Sequence, residues 1–153
     1  MKKVFFLFIA TFSLIALPAQ NPNEIELFKA RFNSEKTELV GQFIDLTANE
    51  GVLFWPLYKA YEAERSGNAN KRIALLYQYV NFYETLTNAQ AKALYNDVLK
   101  LQQSEIALKK KYNKKMGKAL SPLIALRFFQ LEEFIQSEIR TAILENIPLL
   151  DNY

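Results

Sequence analysis

Residues 86–105 read LTNAQAKALYNDVLKLQQSE. Behind the first five runs an apolar series at Leu94, Val98, Leu101, Leu108 and Tyr112, spaced by three, four and seven. Such spacings collect side chains on one face of an α-helix. Thr87 stands where that helix would begin, and Gln90 follows three residues later. The pattern is a capping box: the threonine hydroxyl accepts from the N3 amide, and the N3 side chain reaches back to the cap amide. Leu86 occupies the staple position, from which an apolar side chain can pack on the first turn.

The box recurs. Residues 46–50, LTANE, place Leu46, Thr47 and Glu50 in the same relation, with Phe54-Trp55 where the later copy has Leu94-Tyr95. A degenerate third copy, LSPLIALRFF at 120–129, keeps Leu120, a cap at Ser121 and Phe128-Phe129, but lacks the N3 acid or amide. Repetition with this spacing assigns the boxes to helix initiation. A nucleophilic role for Thr47 or Thr87 would need a base, and the chain has no histidine to supply one.

Outward from these starts the chain reads as all-α, with four to five helices. The first should span Asn23–Leu46, with Ile25, Phe28, Phe32, Leu39 and Phe43 on its apolar face and Glu35, Lys36 and Glu38 opposite. The second should run from Ala48 to about Arg65 on a stripe of Leu53, Phe54, Leu57, Tyr58 and Tyr61. SGNAN (66–70) is a break signal, and a shorter helix with Ile73, Leu76, Tyr77 and Val80 follows it. The next runs from Thr87 to Met116, where Gly117 can cap it. The last begins at Ser121-Pro122, carries Ile124, Phe128, Leu131, Ile135 and Ile139, and ends by Pro148. No period-two alternation suggests a strand.

Ahead of this lies an export signal. Lys2 and Lys3 precede an unbroken apolar stretch, Val4–Leu17, and Ala19 is the expected last residue before cleavage. The stretch is shorter than the ~20 residues a membrane span needs, although an uncleaved anchor is the alternative. The expected organisation is a signal peptide at 1–19 and one helical domain at 20–153, delivered to the periplasm. Without Lys2 and Lys3, the formal balance of 19 cations against 16 anions becomes 17 against 16. The apparent pI near 9.0 is therefore no warrant for nucleic-acid binding.

Cysteine and histidine are both absent, which removes disulfides, thiolate nucleophiles, imidazole bases and Cys/His metal sites. No metal, cofactor or catalytic residue is expected. The close carboxylate pairs, Glu62/Glu64 and Glu132/Glu133, sit at helix spacings that do not converge. An enzyme is not expected.

Two features suit protein binding instead. KKKYNKKMGK (109–118) sets Lys109, Lys110, Lys111, Lys114 and Lys115 near a helix C-terminus. There cations either favour the macrodipole or form a basic rim for acidic clients and anionic lipid. YQYVNFY (77–83) contains Tyr77 and Tyr79, which cannot share a helix face, so together with Tyr83 it should expose aromatic surface.

Taken together, LTANEGVLFWPLYKAYEAE, LTNAQAKALYNDVLKLQQSE and LSPLIALRFFQLEEFI behind a signal peptide resemble the Spy/CpxP-type helical periplasmic proteins with LTxxQ boxes. Relatives in that group are described as heavy-metal sensors or as sensors of extracytoplasmic-function sigma factors. Leu86–Gln90 matches the box fully, and the first copy has Glu50 where the box has Gln. The resemblance implies a bent, cradle-like helical bundle, often a homodimer. Such a cradle holds unfolded or membrane-associated proteins on a concave surface, with at most peripheral membrane contact. In the metal-sensing branch histidines bind the ion, and there this chain departs from the pattern completely. The expected function is an ATP-independent chaperone or envelope-stress accessory, the alternative a sensor or regulator of a membrane-bound signalling partner.

Overall fold

The structure is a computed structural model that describes residues 22–145, 147 and 148. The expected signal peptide lies outside the described residues, as do the side chains of Ile25 and Phe28. The fold is all-α. Helix α1 spans Pro22–Phe43, α2 spans Ala48–Phe82, α3 spans Asn88–Ala119 and α4 spans Pro122–Leu144. A short 3₁₀ turn, Tyr83–Thr85, leads from α2 toward α3. No strand occurs among the described residues.

All three boxes stand at helix starts. Glu50 N donates to Thr47 Oγ1 at 3.3 Å, and the Glu50 carboxylate accepts from the Thr47 amide at 2.9 Å. Gln90 N donates to Thr87 Oγ1 at 3.3 Å, and its side-chain oxygen accepts from the Thr87 amide at 2.9 Å. Ser121 Oγ accepts from Ile124 N at 3.1 Å, ahead of Pro122 at the position where a missing amide costs nothing. The N4 residues of the two full boxes are Gly51 and Ala91, so neither leucine meets a large staple partner. Leu46 packs instead on the core.

The break foreseen at Ser66–Asn70 does not occur, because α2 is one helix of 35 residues, about 52 Å long. Packing decides the matter against local propensity. Asn68 is buried, and its Oδ1 accepts from Ser104 of α3 at 3.0 Å, which removes it from turn chemistry. Four residues on, Arg72 grips Glu105 of α3 with Nη2 at 2.8 and 2.7 Å from the two carboxylate oxygens. Gly67 and its neighbours are thereby carried through as helix. Nor does Gly117 end α3: the helix continues to Ala119, and the Leu120 amide donates to the Met116 carbonyl at 2.9 Å.

α2 and α3 run antiparallel, since Tyr61 meets Tyr112, Asn68 meets Ser104 and Arg72 meets Glu105. α4 turns back along α3. The core occupies one end of this assembly, where Phe54, Tyr58 and Tyr61 of α2 meet Leu108, Tyr112 and Met116 of α3 and Ile124, Phe128, Leu131 and Ile135 of α4. Phe128 makes edge-on contacts with Phe54, Tyr58 and Tyr61 at centroid distances of 5.7, 6.0 and 5.4 Å, the favourable geometry for ring quadrupoles. Leu53, expected on the inner stripe, faces outward at 49% exposure.

The buried face of α1 is also rotated from expectation. Lys36 and Val40 point inward, as does Ile44 one residue past the helix end, whereas Phe43 is exposed and Phe32 and Leu39 lie at the edge. Lys36 was expected on the solvent face. It is fully buried instead, because α2 and α4 present carboxylates to receive it.

Candidate functional site

The candidate binding residues separate into two regions. Around α3 residues 109–115 the lysines are largely engaged. Lys109 pairs with Glu133 of α4, Lys111 Nζ lies 2.6 Å from Glu64 of α2, and Lys115 sits 5.0 Å from the Tyr112 ring centroid. Glu64, held by Lys111 and then by the Tyr112 hydroxyl, has its pKa lowered from the ordinary 4.5. Lys110 and Lys114 point to solvent. The cluster is thus a helix surface stitched to its neighbours, with two outward cations.

The tyrosines lie farther along the hairpin, past the Asn68–Ser104 contact. Tyr77 is 40% exposed. Tyr79 is half-buried; its hydroxyl donates to the Pro148 carbonyl at 2.7 Å, and its ring lies 6.2 Å from that of Tyr83. Tyr77 and Tyr79 diverge, as their two-residue spacing requires. The antiparallel pairing puts Tyr77 level with about residue 97 of α3, some 18 Å from Lys109 at ~1.5 Å per residue. Aromatic and basic groups therefore do not form one patch.

A larger apolar surface surrounds the tyrosines. Between Asn68 and Leu101 no residue is buried. Leu76, Val80, Leu94 and Val98, on the expected apolar stripes of α2 and α3, reach only intermediate burial. Ile73, Tyr77 and Phe82 of α2 are exposed, and so are Tyr95 (64%), Leu99 and Ile106 of α3. The last three, spaced by four and seven, make a second apolar stripe on α3, turned away from the one that packs. The sequence carried the signal in its doublets, Leu94-Tyr95 and Val98-Leu99: adjacent residues on a helix lie about 100° apart, so one stripe packs and the other shows.

The second feature, illegible beforehand, is a buried ionic cluster. Lys36 Nζ lies 2.7 Å from Glu62 of α2 and 2.6 Å from Glu132 of α4, with both Lys36 and Glu132 side chains wholly inaccessible. Tyr61 Oη donates to Glu132 at 3.0 Å, Gln136 Nε2 donates to it at 3.2 Å, and Arg65 stands 4.0 Å away while pairing with Glu62 at 2.8 Å. Burial alone would push the Glu132 carboxyl up. Lys36, then Arg65 and Tyr61, more than offset this and hold it below 4.5. Tyr58, hydrogen-bonded to Thr37 at 3.2 Å, is pushed up to about 12, chiefly by burial. Glu62 and Glu132 come from different helices, so carboxylates do converge here, although neither close sequence pair meets on a shared partner.

A shallow groove of about 560 Å³ runs along the α1–α2 junction, lined by Leu46, Trp55 and Pro56 with Gly41 and Gly51. Among the described residues no group of three or more acidic side chains is placed to hold a metal ion. No described helix is long and apolar enough to cross a membrane. Compared with known proteins at a significant level, the chain matches no family model, no curated sequence and no solved structure.

Proposed function

We propose that this is an exported helical protein of the Spy/CpxP type that binds other proteins through the far half of its α2–α3 hairpin and performs no chemistry. The observation that carries this reading is the exposure of Ile73, Tyr77, Phe82, Tyr95 and Leu99 within one segment that has no buried side chain. Apolar patches of that kind mark interaction surfaces, and tyrosine offers contact area with a wet edge, which tolerates varied partners. Outward Lys110 and Lys114 would add weak, salt-screened attraction for acidic segments or anionic lipid head groups. The clients expected are unfolded or membrane-associated proteins, and a second copy of the chain could cover the same stripe in a homodimer. The reading supposes delivery to the periplasm and involves no cofactor, metal or nucleic acid.

The regulator reading draws on one specific observation. Tyr95, Leu99 and Ile106 form a single straight stripe, the shape that suits one partner helix. Such a partner would be a membrane-bound signalling component, as in an extracytoplasmic-function sigma-factor system. Suppression of client aggregation without ATP separates the two. The triple substitution Tyr77→Ser, Tyr95→Ser and Leu99→Ser should abolish protection while leaving the melting temperature in place. Unchanged protection would remove the hairpin from the binding surface; tight one-to-one binding to a single partner would favour the regulator.

A further inference from the structure

α1 is fastened to the rest of the fold in an unusual way. Its buried side chains, among those described, are Lys36 and Val40, and Ile44 is buried one residue past its end. Against it lie three aromatic residues of α2: Trp55, whose ring a Cβ at Gly41 would meet at 3.6 Å, Tyr58 through Thr37, and Tyr61, whose centroid is 6.0 Å from Lys36 Nζ. A methionine at position 36 would seat this helix with no charge to desolvate. A lysine there makes docking conditional on ionised partners, because an ammonium taken fully out of water needs compensating charge.

We propose that α1 is an acid-released strap: Lys36 clasps it to Glu62 and Glu132, and protonation of the buried Glu132 frees α1 while α2, α3 and α4 stay packed, uncovering the aromatic face of Trp55, Tyr58 and Tyr61. The charges around the clasp come from every neighbouring element. α1 supplies Lys36, α2 supplies Tyr58, Tyr61, Glu62 and Arg65, and α4 supplies Glu132 with Gln136 beside it. α3 supplies Tyr112, whose ring packs edge-on against Tyr61. Lys36 and Arg65 balance Glu62 and Glu132, so the cluster is neutral when both carboxyls are ionised. Adding one proton leaves an uncompensated positive charge beside the buried ammonium. A carboxyl held below its usual value contributes stability above that value and loses it as pH falls through the folded-state one. For Glu132 the window therefore opens below 4.5.

The clasp also reaches from α2 to α4 through Tyr61, Arg65 and Glu132, but it is not all that holds the remaining three helices. Phe54 of α2, Leu108, Tyr112 and Met116 of α3, and Ile124, Phe128 and Leu131 of α4 join these helices through apolar contacts that no proton disturbs. Release of α1 is a property of the chain whether or not the uncovered face binds protein.

Trp55 is the only tryptophan and touches α1, so it reports on the strap directly. In an acid titration of the full chain, Trp55 emission should shift to longer wavelength below pH 4.5. Far-UV helicity should fall by no more than the share of α1, 22 residues. The double substitution Lys36→Met with Glu132→Gln removes the conditional charge while keeping side-chain volume and an acceptor for Tyr61. In it the emission step should disappear and α1 should stay docked. Hydrogen exchange of the unaltered protein below the step gives a readout independent of that variant, and loss of protection should be confined to residues 22–43. An identical step in the double variant would overturn the proposal. So would loss of protection in α2 and α4 together with α1, which is global acid unfolding.

Discussion

Replacing Thr87 with alanine removes the hydroxyl that accepts the Gln90 amide and the hydroxyl donor that holds the Gln90 side chain at 2.8 Å. Thr47→Ala does the same chemistry at the start of α2. Loss of either cap should cost about 1 kcal/mol at its own helix end. Where that cost is felt should differ. Thr47 adjoins Leu46, which packs on the core, so its loss belongs to global unfolding and should lower Tm by about 2–4 °C in a chain of this size. Thr87 begins a segment in which nothing is buried until Leu101. Such a segment opens on its own at a fraction of the global free energy. Thr87→Ala should therefore leave Tm within about 1 °C and instead speed amide exchange near residues 88–92 about fivefold, the factor for ~1 kcal/mol. Thr87→Ser should restore slow exchange, since serine caps as well. Thermal unfolding and native-state hydrogen exchange on both alanine variants measure this. Equal Tm losses, with hairpin amides exchanging only through global unfolding, would refute the independent opening of the hairpin tip.

Three further outcomes follow from the same geometry. Phe128→Ala, at the meeting point of Phe54, Tyr58, Tyr61 and Phe129, should cost about 3–5 kcal/mol in denaturant unfolding, whereas Leu126→Ala, 51% exposed, should stay within about 0.5 kcal/mol. Gly67→Ala should stabilise by up to ~1 kcal/mol, because a Cβ there meets nothing within 4 Å and the helix is continuous; a destabilised variant would restore the break at Ser66–Asn70. The Glu50 carboxyl, held below 4.5 by the Thr47 hydroxyl and then its amide, supports the α2 cap above that range and releases it as pH falls through the lowered value. Glu50→Gln should flatten that part of the acid dependence of Tm, since Gln90 makes the same cap with no proton to gain.

Helix starts were legible because a cap is a local device: Thr47, Thr87 and Ser121 need only their own next three residues to act. Most of the core was legible for a related reason, since Phe54, Tyr58, Leu108, Phe128 and Ile135 recur at the helical period. Helix ends were less so, although α4 does stop short of Pro148 as its sequence suggests. SGNAN carries turn chemistry, and only a partner thirty-six residues away, Ser104 against Asn68, turns it into helix. Gly117 likewise lies inside α3 because nothing in the packing asks it to turn. Local signals set where a helix can stop; tertiary contacts set whether it does.

The face of α1 failed for a deeper reason. Periodicity scores lysine as solvent-facing, so Phe32, Leu39 and Phe43 outvoted the true inner line of Lys36, Val40 and Ile44. That line is apolar at two positions and charged at the third, and no window over α1 alone can show that the charge is matched. The match comes from Glu62, twenty-six residues on, and from Glu132 near the far end of the chain. One-sided burial of any of these groups would be strongly unfavourable, so three helices that read separately as surface-charged must meet for the cluster to exist. A lysine four and eight residues ahead of two β-branched residues is thus a candidate for burial whenever distant helices carry a glutamate inside their own apolar stripes. Glu132, between Phe128, Leu131 and Ile135, is placed that way. Substituting Glu132 alone with glutamine would strand Lys36 with Glu62 as its one remaining anion. The loosening should therefore concentrate in α1, leaving the Tyr112–Phe128 side of the core close to its native protection.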